Sequence, residues 1–240
     1  MVQRIEQAGA EFELGYWAIR GLGQPIRFLL AHAEVAFSEV RLGVNQDGSI
    51  IADESHDWAT HKDTLSVPFP NLPYLIDSSA PAEVQLTQSN AVMRYLARRF
   101  DYYGDTASDQ ICIDVLQDEA YDLRNSIVKA VYTLGAEYEA AFDELTSTAV
   151  PRYLDGFESY LSNRGIHTHF VGTRISLVDF ILYELIWQVS IMVPGSVTDT
   201  HRVSLRRFIE EFAKIPQIAA YMARSDYIDR PINSVSASFT

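Results

Sequence analysis

Hydrophobic and polar positions alternate twice near the start of the chain. Phe12-Glu13-Leu14-Gly15-Tyr16-Trp17 and residues 36–42 (AFSEVRL) both run at a period of two, the mark of a strand. Between them come a Gly-containing turn at 20–25 and a helical series, Ile26, Leu29, Leu30 and Ala33. Pro25 sits at its first position, where a missing N–H does no harm. Residues 43–64 are polar and irregular, with Trp58 their only large aromatic. Phe69-Pro70-Asn71-Leu72-Pro73 is a stiff, extended approach to a short apolar run, Tyr74-Leu75-Ile76. Turn residues fill 77–83, Val84-Gln85-Leu86 reads as another strand, and Thr87-Gln88-Ser89-Asn90 offers capping groups to an amphipathic helix at 91–99.

The predicted order is therefore β-α-β, a long connection, then β-β-α. It implies a four-stranded mixed sheet: a right-handed crossover makes the first two strands parallel, and the last two form an antiparallel hairpin. Residues 1–10 read as a loose extension. Pro73, before the third strand, is where a cis bond would turn the backbone outward. The helix after the hairpin presents N–H groups and positive dipole character, which suit a carboxylate.

Beyond 100 the period changes to that of helices. Residues 101–108 read as a linker, and from Asp109 onward no strand is predicted. Ile111, Val115, Leu116, Ala120 and Leu123 share one helical face, as do Val128, Val131 and Tyr132. Another helix runs over 151–161 and closes at Gly165, with amphipathic helices at 203–214 and 218–223 and an irregular stretch from 227 to 240. The apolar run 175–193 approaches the length of a membrane span, but Asp179, Glu184 and Gln188 interrupt it and Ser176 with Asp179 forms a capping box. It reads as a buried central helix.

The 240 residues, 48% of them hydrophobic, suffice for one large or two small domains. A net charge of −13 opposes binding to nucleic acid, and Arg94, Arg98 and Arg99 read as a solvated helix face. The single cysteine, Cys112, excludes an intramolecular disulfide and every C-x-x-C motif. The first residues carry no secretory h-region, so a reducing, intracellular setting is expected.

Few stretches carry catalytic chemistry. Gly21-x-Gly23 lacks the third glycine of a dinucleotide fingerprint and reads as a turn. His167-x-His169 has no third metal ligand nearby in sequence. Tyr16, at the end of the first strand beside the glycine turn, is equally suited to a core or interface role and to hydrogen-bonding an anion. Trp58 and Lys62, four apart, fit one helical turn offering an indole donor and a cation together. With the Pro73 loop and Gln88-Ser89 at a helix start, they suggest a site for a small acidic peptide.

Leu14-Gly15-Tyr16-Trp17, Ile19-Arg20-Gly21-Leu22, residues 69–77, Thr87-Gln88-Ser89-Asn90-Ala91 and Met93-Arg94-Tyr95-Leu96-Ala97-Arg98 resemble the cytosolic glutathione transferases, most closely the mu class. The likeness runs from Leu14 to the C-terminus, including Ser176-Leu177-Val178-Asp179-Phe180 and Ala220-Tyr221-Met222. It implies a thioredoxin-like, glutathione-binding domain over 11–100 and an all-helical domain over 109–240 that contributes the electrophile pocket. The implied activity is conjugation of glutathione to hydrophobic electrophiles, a detoxification of xenobiotics, by a cytoplasmic homodimer. Glutathione serves as cosubstrate; no cofactor, metal, nucleic acid or membrane is implied.

The resemblance also assigns roles. Tyr16 matches the catalytic tyrosine that hydrogen-bonds the glutathione sulfur. Trp58 and Lys62, with Trp17 alongside, match the holders of the glycyl carboxylate. Asn71 and Leu72, the latter by its backbone before a cis Pro73, match contacts to the tripeptide. Gln88 and Ser89 match the γ-glutamyl site, which Asp122 of a second subunit reaches. Phe69 matches a hydrophobic key inserted into the partner, and Ile19, Leu22, Val128, Tyr132 and Ser234 match the electrophile pocket.

The sequence departs from the mu pattern in four respects. Ser55 replaces an arginine that contacts the carboxylate, the 43–57 connection differs and the 78–84 turn is longer, and Asn233 makes the tail more polar. Two alternatives stay open: a glutathione-dependent isomerase like the sigma relatives acting on prostaglandins, and a non-catalytic binder like the lens crystallins of the superfamily.

Overall fold

The computed structural model describes residues 2–43, 55–165, 168–198, 200–234 and 236–239, without the side chains of 55–57. Ser55, most of the altered 43–57 connection and His167 thus lie, in backbone or side chain, outside the described residues. The chain divides into two compact units: 1–96 with 220–236 and 240, and 97–219 with 237–239.

In the first unit, alternation sets the strands. β1 (Val2–Ile5), β2 (Phe12–Trp17), β3 (Phe37–Leu42), β4 (Tyr74–Asp77) and β5 (Val84–Thr87) form one sheet in the order β1-β3-β2-β4-β5. β2 and β3 are parallel, joined through α1 (Gln24–His32), and the other pairs are antiparallel. The sheet has five strands, not the four expected, because residues read as a loose extension pair with β3, Val2 opposite Leu42 and Ile5 opposite Glu39. Side chains on this edge are exposed or half-buried, so its stability comes from backbone pairing that leaves little hydrophobic pattern. α2 (Ser55–His61) continues as a 3-10 turn, Lys62–Thr64.

The hairpin and its helix form as the pattern predicts, with β4 reaching one residue into the expected turn. Asp77, fully buried, accepts hydrogen bonds from the Ser79 amide at 2.9 Å and the Tyr95 hydroxyl at 2.6 Å. Tyr95 lies on α3 (Ser89–Arg99), so one carboxylate ties turn to helix. The Leu72–Pro73 bond is cis, and so is Arg230–Pro231.

The second unit is helical. The two apolar series expected along its start belong to one helix, α4 (Ala107–Val131), begun by a reciprocal cap between Thr106 and Asp109. Thr106 lies in the stretch read as linker, and solvent-exposed Ile111 and Val115 blur the core stripe. α5 (Tyr138–Glu144) passes through a π-helical stretch, Leu145–Ala149, into α6 (Val150–Arg164). Gly165, at φ 66°, closes α6 in the left-handed region.

α7 (Leu177–Met192) is the buried helix. The Asp179 carboxylate accepts the Ser176 amide and the Phe170 amide, both at 2.7 Å. Around it Phe170 and Phe180 meet Phe208 and Phe212 of α8 (Val203–Ala213) edge to face, and Tyr183 stacks on Phe212 with centroids 4.2 Å apart. Among the described residues no helix is long and apolar enough to cross a membrane.

Residues 220–236, assigned from sequence to the helical domain, group instead with the first unit after α9 (Pro216–Met222) begins. The Arg20 amide donates to Pro231 O at 2.9 Å and the Gly21 amide to Ile232 O at 3.0 Å. Backbone bonds of this kind have no signature in side-chain periodicity.

Candidate functional site

Tyr16 ends the buried part of β2 with its ring 5% exposed. Its hydroxyl oxygen accepts the Leu22 amide at 3.0 Å. The turn between them gives the two glycines a reason. A Cβ on Gly21, whose φ is +39°, would lie 2.6 Å from the Tyr16 hydroxyl, and one on Gly23 would lie 2.7 Å from its ring. The turn that replaces a dinucleotide loop is thus shaped around a phenol.

A buried ionic cluster braces the same turn. Arg27 of α1 is fully buried; it pairs with Glu39 of β3 at 2.5 Å and donates to Ile19 O at 2.9 Å. Arg41 meets the other Glu39 oxygen at 2.7 Å and donates to Asp226 O at 2.7 Å. Arg20, also fully buried, donates to the Tyr227 hydroxyl at 2.6 Å and to Ile228 O at 2.8 Å. Burial pushes the Tyr221 phenol above its ordinary value, and the Arg224 guanidinium holds the Asp226 carboxyl below its own.

Arg20 falls within a quoted motif, but none of Arg20, Arg27, Glu39 or Arg41 is given a role by the sequence. A signal existed: Arg27 lies one residue after Ile26 and three before Leu30, on the core face of α1, and a charge there demands a partner. In β3 the alternate positions Phe37, Glu39 and Arg41 share one face, and Glu39 among them is the acid that Arg27 needs.

Several residues singled out from sequence do come together. Tyr16, Ile19, Leu72 and Tyr74 share one cluster with Val40 and Leu42, and Trp17, Leu22 and Trp58 pack against it. Asn71 Oδ1 accepts the Leu72 amide at 2.9 Å. Gln88, exposed and at φ 72°, precedes α3, and its carbonyl accepts the Val92 amide at 2.9 Å. Lys62 is exposed. The Thr87 hydroxyl donates to Phe69 O at 2.8 Å, while the Phe69 side chain stands 77% exposed. Ser234 is half-buried in this unit, beside buried Asn233.

Asp122, Val128 and Tyr132 belong to the second unit. Asp122 is exposed on α4, Val128 half-buried, and Tyr132, 38% exposed, ends the helix with its amide on Val128 O at 3.1 Å. The Ser238 amide donates to Val131 O at 2.7 Å, so residues 237–239 dock on that end of α4. Elsewhere in this unit an apolar groove of about 440 Å³ lies between α4 and α6, lined by Ile111, Cys112, Val115, Leu116, Phe157 and Tyr160.

Comparison with known proteins gives consistent matches. The family described as "Glutathione S-transferase, N-terminal domain" matches residues 12–98, and "Glutathione S-transferase, C-terminal domain" matches 121–225. Glutathione S-transferase Mu 1 of Oryctolagus cuniculus is 34% identical over 231 residues, covering 95% of this chain and 97% of the relative. Glutathione S-transferase 2 of Gallus gallus is 34% identical over 223 residues, covering 91% and 93%. Among solved structures, the glutathione S-transferase Blo t 8 superposes with a TM-score of 0.81 at 26% identity, covering 95% of this chain and 99% of that one. A Pi-class glutathione S-transferase of Onchocerca volvulus gives 0.76 at 25% identity, with the same coverages.

Proposed function

The chain belongs to the glutathione S-transferase family, and from that premise we propose that Tyr16 drives conjugation of the glutathione thiolate to hydrophobic electrophiles. The observation that carries the reading is the Leu22 amide on the Tyr16 oxygen. An N–H donated to the phenolic oxygen orients the hydroxyl as a donor and strengthens it cooperatively. Aimed at the sulfur of glutathione, that hydroxyl stabilises the thiolate over the thiol. A free thiol has a pKa near ~8.5, and lowering it by about 2–3 units is worth roughly 3–4 kcal/mol. The thiolate attacks the electrophilic carbon, a C–S bond forms, and the leaving group departs with the bonding pair, or a proton completes an addition.

The remaining residues bind and orient. Trp58, Lys62 and Trp17 hold the glycyl carboxylate. Asn71 and the backbone of Leu72, before Pro73, run along the peptide; the Leu72 amide now on Asn71 Oδ1 is the donor a peptide carbonyl would take. Gln88 and Ser89 hold the γ-glutamyl end, where the α3 N-terminus favours a carboxylate. Ile19, Leu22, Val128, Tyr132 and Ser234 line the electrophile pocket. In this reading residues 11–100 supply the glutathione-binding domain, and the helical domain assigned from sequence to 109–240 contributes to the electrophile pocket.

The working form is a cytoplasmic homodimer in which Asp122 reaches the partner's γ-glutamyl site and Phe69 enters the partner's α4–α6 groove. An exposed phenyl ring and an apolar groove of suitable volume are both present. The test is retention on immobilised glutathione followed by turnover of a chloronitrobenzene. A protein that is retained but turns over no electrophile, across a panel, refutes the catalytic reading.

A further inference from the structure

The strand not anticipated from sequence is connected by side chains to the helix that carries Trp58 and runs on into the turn that begins at Lys62. Arg4 of β1 pairs with Glu13 of β2 at 2.8 Å. The other Glu13 oxygen accepts the Tyr74 hydroxyl at 2.8 Å, and the same Tyr74 oxygen lies 3.0 Å from His61 Nε2. His61 is the last residue of α2 and stacks on the Tyr74 ring, with centroids 5.5 Å apart and planes at 27°.

The register explains why these groups meet. Arg4 pairs with Val40, Val40 with Gly15, and Gly15 with Tyr74, which puts all four in one row across the sheet. Glu13, two residues before Gly15, points to the same face. Gly15 is the gap that lets Tyr74 reach them: a Cβ there would fall 1.8 Å from the Tyr74 ring. The phenol therefore lies across β2 toward Glu13, not over its own strand.

Proton directions follow from the partners. The carboxylate of Glu13 only accepts, so the Tyr74 proton points to it. Toward His61 the phenol then accepts, which makes Nε2 the protonated nitrogen of the imidazole. Burial raises the Tyr74 phenol above its ordinary value, aided by the Glu13 charge, and holds the His61 imidazole below its own.

We propose that His61 is a positioning residue for glutathione: bonded to Tyr74 and stacked on it, it pins the end of α2 and so sets Trp58 and Lys62 where the glycyl carboxylate binds. His61 is next to Lys62 and one turn after Trp58, so anchoring it fixes both. Glu13 and the β1 residue Arg4 hold the phenol that anchors it. The inference rests on the proposed assignment of the carboxylate to Trp58 and Lys62.

The experiment compares two ligands by calorimetry: glutathione, and γ-glutamylcysteine, which lacks the glycine. His61→Leu and Tyr74→Phe both remove the His61–Tyr74 hydrogen bond and should each weaken glutathione about fivefold or more, as expected for loss of such a bond. Both should leave γ-glutamylcysteine binding within about twofold, and His61→Gln, which keeps an N–H near Nε2, should recover most of the loss. Equal weakening of both ligands, or no weakening of glutathione, overturns the inference. Wild-type protein that binds the two ligands equally overturns instead the placement of the carboxylate, a failure seen without any variant.

Discussion

The Leu22 amide donates to the phenolic oxygen of Tyr16 at 3.0 Å, across a turn whose two glycines leave room for the ring. A backbone donor is harder to lose than a side-chain one. The turn is in turn fixed by Pro231 and Ile232, which accept the Arg20 and Gly21 amides. The catalytic group of the proposed reaction is thus held by the fold of the first unit.

Removing the hydroxyl should remove the activation and little else. Tyr16→Phe is expected to lower kcat/KM at neutral pH by about a hundredfold, the factor for a thiol pKa raised by ~2 units. The acid limb of the pH–rate profile, set by the thiol, should move up in pH correspondingly, and glutathione should bind nearly as before. Steady-state rates with a chloronitrobenzene across pH check both. Wild-type turnover with glutathione still bound refutes the role.

Gly21→Ala tests the turn without touching the phenol. The left-handed φ costs an L-residue about 1–2 kcal/mol, and the added Cβ would crowd the hydroxyl at 2.6 Å. Relief requires Leu22 or Tyr16 to move, which breaks their hydrogen bond. A drop of about fivefold to tenfold in kcat/KM is expected, with a modest loss of thermal stability. In a Tyr16→Phe background the same change should cost stability but no further rate.

Tyr16, Trp17, Ile19, Leu22 and Leu72 were legible because they lie in motifs, and Trp58 through its spacing to Lys62; the fold brings them into and around one cluster. In the second unit α4, α6, α7 and α8 were legible from period and caps, although exposed Ile111 and Val115 confused the stripe of α4, whereas α5 was not anticipated. What escaped depends on partners far away in sequence. Arg27 makes sense only once Glu39 is beside it, and residues 220–236 join the first unit partly through backbone bonds that no side-chain pattern encodes. β1 escaped because Val2 and Ile5 stay exposed or half-buried at an edge.

Phe69 is 77% exposed while its own carbonyl is held by Thr87, so the ring is presented rather than mobile at its base. If it enters the α4–α6 groove of a second copy, Phe69→Ser and Val115→Glu should each shift the protein toward monomer. Burying a phenyl ring is worth about 1.5–3 kcal/mol, and two equivalent sites double it, so a Kd increase of a hundredfold or more is expected. Sedimentation velocity over a concentration series reads this directly. A dimer unchanged by both substitutions places the interface elsewhere.

The Arg27–Glu39–Arg41 cluster makes a prediction about order. Glu39 is 3% exposed and serves two guanidinium groups, Arg27 through one oxygen and Arg41 through the other. Glu39→Gln leaves two buried cations facing a neutral amide, so the uncompensated charge should cost about 3–5 kcal/mol. Arg27→Met leaves an intact Arg41–Glu39 pair and replaces a buried cation with a flexible apolar chain. Its cost should be smaller, about 1–3 kcal/mol, mostly from the unsatisfied Ile19 carbonyl. Pairing the two substitutions should cost less than their sum, because the neutral amide no longer faces two cations. Urea unfolding of the three variants, analysed at a common slope, checks the order, and Arg27→Met proving the more damaging would show that Arg27, not Glu39, is the centre of the brace.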